Sequence, residues 1–293
     1  MPAKWFVCPD GFAIEKEECI KQCRMNMPCL SLPSRVGIAQ ERPFKPVVSP
    51  SAAGKGVRQI YLEGTCEYAI NPRTKMFMLY GTKHHALKEE AGGMLNAFLE
   101  EKLEDELGEG FSDYMDGFLF DFKLVGAYAV AKRSFFEEVP TGEEYQKAGV
   151  RTDINGEKVG YSKGDPKVKK SHIGWNIMWD DDWALQLNRY RMMWEAKGFA
   201  VGGITIEATL RDGGVRASSS YGLDEQVYMI PIPIIPDDVV MKHYREKQEL
   251  LVACYKDMVV PPMCTWEERW EGRKCDNYCD VRKQCEEAGG WDK

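Results

Sequence analysis

The sequence predicts an α/β protein with cysteine-rich segments at both ends of a mixed core. Three observations support this class. Helix-type and strand-type hydrophobic periods alternate through the middle of the chain. Two sets of four cysteines with matching spacing lie at its two ends, and an apolar hairpin between them carries unexpected charge. With 293 residues, of which 44% are hydrophobic, the chain is long enough to bury a sizeable core.

The outer boundaries follow from composition. Residues 1–30 hold the first four cysteines, and residues 31–56 are rich in proline, serine and glycine, which is typical of a connector. We expect the core to run from 57 to 256 and a second cysteine module to occupy 257–293.

Hydrophobic patterns predict the elements of the core in order. They are strand-like runs around 57–63 and 75–80, a helix at about 83–107, a hairpin at about 111–131, a polar insertion at about 137–174, a helix at about 181–197, strands at 203–210 and 226–235, and a helix at about 237–256. The first helix is suggested by leucines on a four-residue step. Pro231 and Pro233 restrict the last strand to a sheet edge.

The hairpin carries the first chemical signal. Alternate side chains of a strand point to opposite faces, so the three phenylalanines of FLFDFK (118–123) share a face, which we expect in the core. Asp121 and Lys123 share the other face. A three-residue loop over 115–117, with glycine in the left-handed position, brings Asp113 to that second face.

Two carboxylates on a rigid hairpin suit a hard cation such as Mg²⁺ or Mn²⁺. Such an ion polarises a phosphoryl oxygen and acidifies a bound water, and a nearby lysine stabilises charge that develops on a phosphate. The alternative is an ordinary surface Asp–Lys pair. Two helical pairs add to the pattern: His85 with Glu89, and Gln186 with Tyr190, are each four residues apart and so share a helix face. Alone, a histidine at a helix start is more often a cap or a surface group, and the Gln186–Tyr190 pair is typical of packing at the core edge.

Together the motifs form an ordered set. They read GTKHHALKE from Gly81, GFSD ending at Asp113, DFK from Asp121 and QLNRY from Gln186. This set resembles the PD-(D/E)XK nuclease superfamily, in particular the RecB-like branch with phage recombination exonucleases and CRISPR-associated adaptation nucleases. The acid of the third motif is aspartate, where relatives also use glutamate.

The resemblance implies a restriction-endonuclease-like core, a mixed central sheet flanked by helices. It implies a metal-dependent DNA nuclease, an exonuclease of recombination or repair that hydrolyses phosphodiesters with metal-activated water. The alternatives are a CRISPR-adaptation-type nuclease and a catalytically inactive DNA-binding protein of the same fold. The implied partners are DNA and a single-strand annealing protein or another recombination or adaptation factor.

The resemblance also assigns roles to residues. The implied ligands of the Mg²⁺ or Mn²⁺ ion are His85, Asp113, Asp121 and the carbonyl of Phe122. Lys123 is the implied catalytic lysine, and Gln186 and Tyr190 would contact DNA or support the site.

The overall charge sets limits on partners and location. A net charge of −7 gives no global attraction to nucleic acid, so phosphate binding requires a local basic patch. The densest candidate is the lysine cluster Lys163, Lys167, Lys169 and Lys170, which is either a solvated loop or, under the nuclease interpretation, a DNA contact. No run approaches the ~18 apolar residues of a membrane span. Because the N-terminus also lacks the apolar core of a secretory signal, we expect a cytoplasmic protein, bacterial or phage-encoded, with no membrane partner.

Eight of the ten cysteines form two sets with identical gaps of ten, three and five residues. The sets are Cys8, Cys19, Cys23 and Cys29, and Cys264, Cys275, Cys279 and Cys285. In a cytoplasmic chain such cysteines indicate metal rather than disulfides, and four thiolates at each end match tetrahedral structural Zn²⁺. The RecB-like resemblance implies a different arrangement, a [4Fe–4S] cluster held by Cys29, Cys275, Cys279 and Cys285. We favour two zinc sites, because the cluster would leave four cysteines of the repeated pattern unused.

Overall fold

The computed structural model describes residues 3–40, 44–92, 95 and 97–289. Its strands are β1 (Ala3–Val7), β2 (Ala13–Glu15), β3 (Tyr68–Ile70), β4 (Phe98–Asp105), β5 (Gly108–Met115), β6 (Leu119–Val125), β7 (Ser134–Glu144), β8 (Gly149–Thr152), β9 (Lys158–Tyr161), β10 (Pro166–Trp175), β11 (Ile204–Leu210) and β12 (Val227–Pro231). Its α-helices are α1 (Lys16–Lys21), α2 (Leu32–Ala39), α3 (Val57–Thr65), α4 (Met76–Gly92), α5 (Ala127–Ala131), α6 (Asp182–Ala196), α7 (Arg216–Ser220), α8 (Asp237–Asp257), α9 (Arg273–Asn277) and α10 (Arg282–Glu287). Short 3₁₀ turns cover Pro50–Ala52 and Pro72–Lys75.

A five-stranded mixed sheet forms the centre of the molecule. Its strand order is β12-β11-β6-β5-β4, with β11 parallel to β6 and the other neighbours antiparallel. Helices flank the sheet, so the α/β class is confirmed. The predicted elements over 181–197, 203–210, 226–235 and 237–256 correspond to α6, β11, β12 and α8. Strand β12 lies at a sheet edge, as its prolines predicted.

Three predicted elements in the first half of the core are wrong. Residues 57–63 belong to helix α3, because the apolar residues at 57, 60 and 61 follow helical spacing. Residues 75–80 lie in a 3₁₀ turn and the start of α4. The predicted helix 83–107 ends at Gly92, and the chain continues as strand β4. A four-residue step is compatible with a regular strand as well as with a helix, so the leucine spacing alone does not distinguish the two.

The hairpin also differs in detail from the prediction. Met115 pairs with Leu119, so the three-residue loop is 116–118, one residue later than predicted. Gly117 does take the left-handed conformation, at φ +99°. The prediction that the phenylalanine face enters the core is wrong for Phe118, which is 53% exposed, whereas Leu119 on the other face is 1% exposed. Both faces of β6 are covered, one by α4 and the other by α6, so burial does not separate them.

A smaller N-terminal unit has its own core. Strands β2, β1 and β3 form a three-stranded sheet, and Phe6, Ile38 and Ile70 are buried together with Cys19. This unit therefore includes α2, which falls within the predicted connector, and β3, which lies beyond it.

The polar insertion is an extended ribbon. Strands β7 and β10 pair with each other as a separate two-stranded sheet, and the hairpin β8–β9 follows at its far end. The rings of Tyr145 and Tyr161 stack there with centroids 3.6 Å apart. Within the described ranges, none of the helices combines the length and apolarity needed to cross a bilayer.

Candidate active site

The site lies where strands β5 and β6 separate. Their ladder contains the pairs Tyr114–Phe120 and Met115–Leu119, and continuing that register places Asp113 opposite Asp121. At this point the Asp113 carboxylate accepts a hydrogen bond from the backbone N–H of Phe122 at 2.6 Å, in place of a strand carbonyl. Asp113 and Asp121 are 7% and 5% exposed. Two acids are thus buried side by side at a fork in the sheet.

Helix α4 brings a histidine to the fork. His85 Nδ1 lies 3.4 Å from Asp113 Oδ1 and 3.2 Å from Glu100 Oε1. The hydrogen bond with Asp113 is the main cause that raises the pKa of His85 to about 9, although burial acts in the opposite direction. Without a cation, the imidazole therefore carries a proton at neutral pH and pairs with the carboxylates.

Asp121, Lys123 and Gln186 form a second set of contacts. Gln186 Nε2 donates to Asp121 Oδ1 at 3.1 Å, and its Oε1 accepts from Lys123 Nζ at 3.1 Å. Lys123 Nζ is 2.6 Å from Asp121 Oδ2, an ion pair without hydrogen-bond alignment. Oδ2 is buried, and Lys123 is the charged group that it faces. Burial raises the pKa of Asp121 to about 6, a shift that Lys123 opposes.

Tyr190 of α6 lines the cleft and packs against β5. It follows Gln186 by one turn of α6 and is buried, which raises the pKa of its hydroxyl above the usual range. A Cβ added at Gly110 of β5 would lie 2.8 Å from the Tyr190 ring and 2.9 Å from its hydroxyl. The glycine of the GFSD motif thus allows the helix to approach the strand.

An open cleft of about 1080 Å³ contains these groups. His85, Asp113, Asp121, Phe122, Lys123, Gln186 and Tyr190 all line it. The structure therefore brings together every residue to which the resemblance assigned a catalytic or metal-binding role.

Sequence reasoning missed Glu100, which also lines the cleft. It was placed inside the predicted helix 83–107, whereas it lies on β4 next to His85. FLEEKLED (98–105) does not alternate apolar and polar residues, so no local pattern in the sequence indicates that Glu100 lies on a strand.

The predicted lysine cluster lies elsewhere, on the ribbon. Lys167 pairs with Glu143 at 2.9 Å, Lys169 pairs with Asp224 at 3.1 Å, and Lys170 lies over the Phe136 ring. Lys163 lies in the turn before β10. Of the described residues that line the cleft, none belongs to this cluster.

The cysteines form two separate groups. All ten are free. The four C-terminal cysteines line one small cavity of about 20 Å³, together with Arg58 and Lys274, and Arg58 Nε donates to Cys285 Sγ at 3.1 Å. In the N-terminal set, the pKa of Cys29 is raised first by burial and then by Cys19, Cys23 and Cys8. Across the described ranges, no three sulfur atoms lie within 4.8 Å of one another.

No family model matches this chain, and searches of the curated proteins and of the solved structures find no match.

The fork has the donor set that a hard divalent cation requires. His85, Glu100 and Asp113 each offer a ligand atom, and these atoms lie within 4.8 Å of one another. Asp121 Oδ2, which is buried and paired with Lys123, is a further anionic donor. Carboxylate oxygens with one imidazole suit Mn²⁺ and Mg²⁺ better than they suit softer metals.

Proposed function

We propose that this protein is a metal-dependent DNA nuclease that hydrolyses phosphodiester bonds on a restriction-endonuclease-like core. One observation carries the proposal: His85, Asp113, Asp121 and Lys123 come from a helix and two separating strands and meet in one open cleft. The same groups, in the same order along the chain, form the motif set that resembles RecB-like nucleases.

The residues divide the work between them. His85, Asp113, Asp121 and the carbonyl of Phe122 would hold Mg²⁺ or Mn²⁺, which supplies activation of water and polarisation of the phosphoryl group. Lys123 carries a positive charge at the cleft, where it stabilises negative charge on a phosphate. Gln186 contacts both Asp121 and Lys123 and so fixes their relative position. Tyr190 holds helix α6 against β5 beneath them.

The alternative of an inactive DNA-binding protein fits these contacts less well. Burying Asp113 and Asp121 side by side costs free energy, because each loses water and repels the other. A protein that only held DNA would gain nothing from that arrangement. Within the nuclease class, an exonuclease of recombination or repair, working with a single-strand annealing protein, remains the favoured role, with a CRISPR-adaptation-type nuclease as the alternative.

Cleavage assays test the proposal. Circular and end-labelled linear DNA are incubated with the protein and Mg²⁺ or Mn²⁺, and with the variants Asp121→Asn and Lys123→Ala. We expect a loss of at least about 100-fold in each, the scale of an electrostatic group lost from a catalytic site. Lys197→Ala changes the residue that caps the C-terminus of α6 and pairs with Glu101 outside the cleft, and this matched control should cleave normally. No cleavage by the unmodified protein, or equal cleavage by Asp121→Asn, would contradict the proposal.

We further propose that each four-cysteine set binds one Zn²⁺ ion. The cavity shared by Cys264, Cys275, Cys279 and Cys285 supports a self-contained C-terminal site. The thiol that the iron–sulfur alternative requires, Cys29, has the other N-terminal cysteines as its sulfur neighbours. Free thiols also suit a reducing compartment, in keeping with a cytoplasmic protein.

A further inference from the structure

Strands β4 and β5 both depart from regular alternation at the fork. On β4, Phe98 packs on Trp194 and Asp105 pairs with Arg189, so two side chains seven residues apart both contact α6. A regular strand would point them to opposite faces. The break falls at Glu100, whose φ of +48° lies in the left-handed region.

The neighbouring strand breaks at the opposing position. The register pairs Leu99 with Tyr114 and Glu101 with Ser112, which sets Glu100 opposite Asp113. On β5, Ser112 accepts a hydrogen bond from Trp194 of α6, and Met115, three residues later, is buried in the same core. The regular alternation of side chains is thus broken in both strands at the same position along the sheet, where Glu100 lies opposite Asp113.

We propose that Glu100 is a ligand of the divalent cation, and that His85, Glu100 and Asp113 form its primary protein ligand set. The proposal deepens the proposed function, since the cation is the one that the nuclease would use. The three ligand atoms lie within 4.8 Å of one another. The two oxygens of Asp121 face Gln186 and Lys123 instead. Asp121 therefore approaches the ion from the Lys123 side, as an additional ligand.

A simple ion pair with His85 does not account for Glu100. The pair is partly exposed, with 34% and 27% of the two side chains accessible, and such pairs return little stability. They also form readily from regular strands, whereas Glu100 occupies a backbone conformation that disfavours a non-glycine residue. A ligand that must meet a fixed point in space explains the left-handed conformation.

Direct binding of Mn²⁺ to the full chain, without DNA, tests the inference. Calorimetry or the electron paramagnetic resonance signal of free Mn²⁺ gives the Kd for the unmodified protein and for Glu100→Gln, Asp113→Asn and Glu101→Gln. We expect the first two variants to weaken Mn²⁺ binding at least tenfold. Glu101→Gln, which changes the neighbouring carboxylate, should bind as the unmodified protein does. Thermal melts of each variant check that the fold is intact.

The two possible roles of Glu100, metal ligand or ion-pair partner of His85, predict different effects of Glu100→Gln on the affinity for Mn²⁺. If Glu100 only pairs with His85, its removal frees the histidine, and Mn²⁺ binds equally well or more tightly in Glu100→Gln. That result would overturn the inference, as would the absence of Mn²⁺ binding by the unmodified protein at millimolar concentration. If Mn²⁺ binding depends on Glu100 but the protein cleaves no DNA, the proposed ligand set stands and the proposed nuclease function is wrong. If the unmodified protein cleaves DNA but Glu100→Gln binds Mn²⁺ normally, the nuclease function stands and the proposed role of Glu100 is wrong.

Discussion

At the level of single residues, the acids of the site are buried from water, and charged or polar side chains contact them instead. Burial raises the pKa of Asp121 from 3.8 to about 6, and Lys123 at 2.6 Å opposes that rise. The pKa of His85 also rises, from 6.5 to about 9, but here the charged form is favoured, because Asp113 hydrogen-bonds to the imidazolium. Near neutral pH the metal-free site therefore holds a protonated His85 beside its carboxylates.

The protonation of His85 predicts how Mn²⁺ binding depends on pH. The raised pKa means that the folded, metal-free protein gains stability from the imidazolium below pH 6.5 and loses it as pH rises through about 9. A metal ligand must be neutral imidazole, so Mn²⁺ competes with that proton. We expect the affinity to increase about tenfold per pH unit between pH 7 and 8.5, where Asp121 is already ionised. Titrations of His85→Ala over the same range should show weaker binding and a flat profile, and a flat profile in the unmodified protein would contradict the assignment.

At the level of elements, long periodic segments were predictable and the fork was not. Helix α6 and strand β11 carry unbroken patterns, so their positions followed from the sequence. The leucine step at 95–107 fits a helix and a strand equally, and only pairing with β5 decides for β4. Asp113 and Lys123 could be found because a short hairpin fixes their spacing locally. Glu100 could not, because its place depends on a register between strands and on a left-handed residue that no local pattern announces.

Gly110, where β5 packs on α6, and Gly81, on α4, should tolerate substitution differently. A Cβ at Gly110 would meet the Tyr190 ring at 2.8 Å and Pro50 at 2.9 Å, whereas Gly81 on α4 has nothing within 4 Å. We expect Gly110→Ala to destabilise the protein by about 1–3 kcal/mol through overpacking. Gly81→Ala, the matched control from the first motif, should be neutral or stabilise by about 0.5–1 kcal/mol, because alanine favours a helix. Urea denaturation measures both, and equal stability of the two variants would show that Tyr190 does not fix this approach.

At the level of the whole molecule, the two cysteine sets are attached to different cores. The N-terminal set accompanies the small core of Phe6, Ile38 and Ile70. The C-terminal set is joined to the main core through Arg58 of α3, which is 6% exposed and donates to the carbonyls of Pro261, Cys285 and Ala288. Loss of metal at the two ends should therefore have different consequences for folding.

Serine variants at matched positions test this difference together with the identity of the metal. Cys19→Ser and Cys275→Ser remove the second cysteine of each set, and we expect each protein to retain one of two zinc ions per chain. Because the C-terminal site holds segments that pack on α3, Cys275→Ser should lower the main unfolding transition by about 4–8 °C, which corresponds to about 2 kcal/mol for a chain of this size. Cys19→Ser should leave that transition nearly unchanged and expose the N-terminal unit to proteolysis. Iron in place of zinc, with visible absorption that disappears in Cys29→Ser and Cys275→Ser alike, would instead establish a single cluster shared by the two ends, and the chain would then be closed by one metal centre.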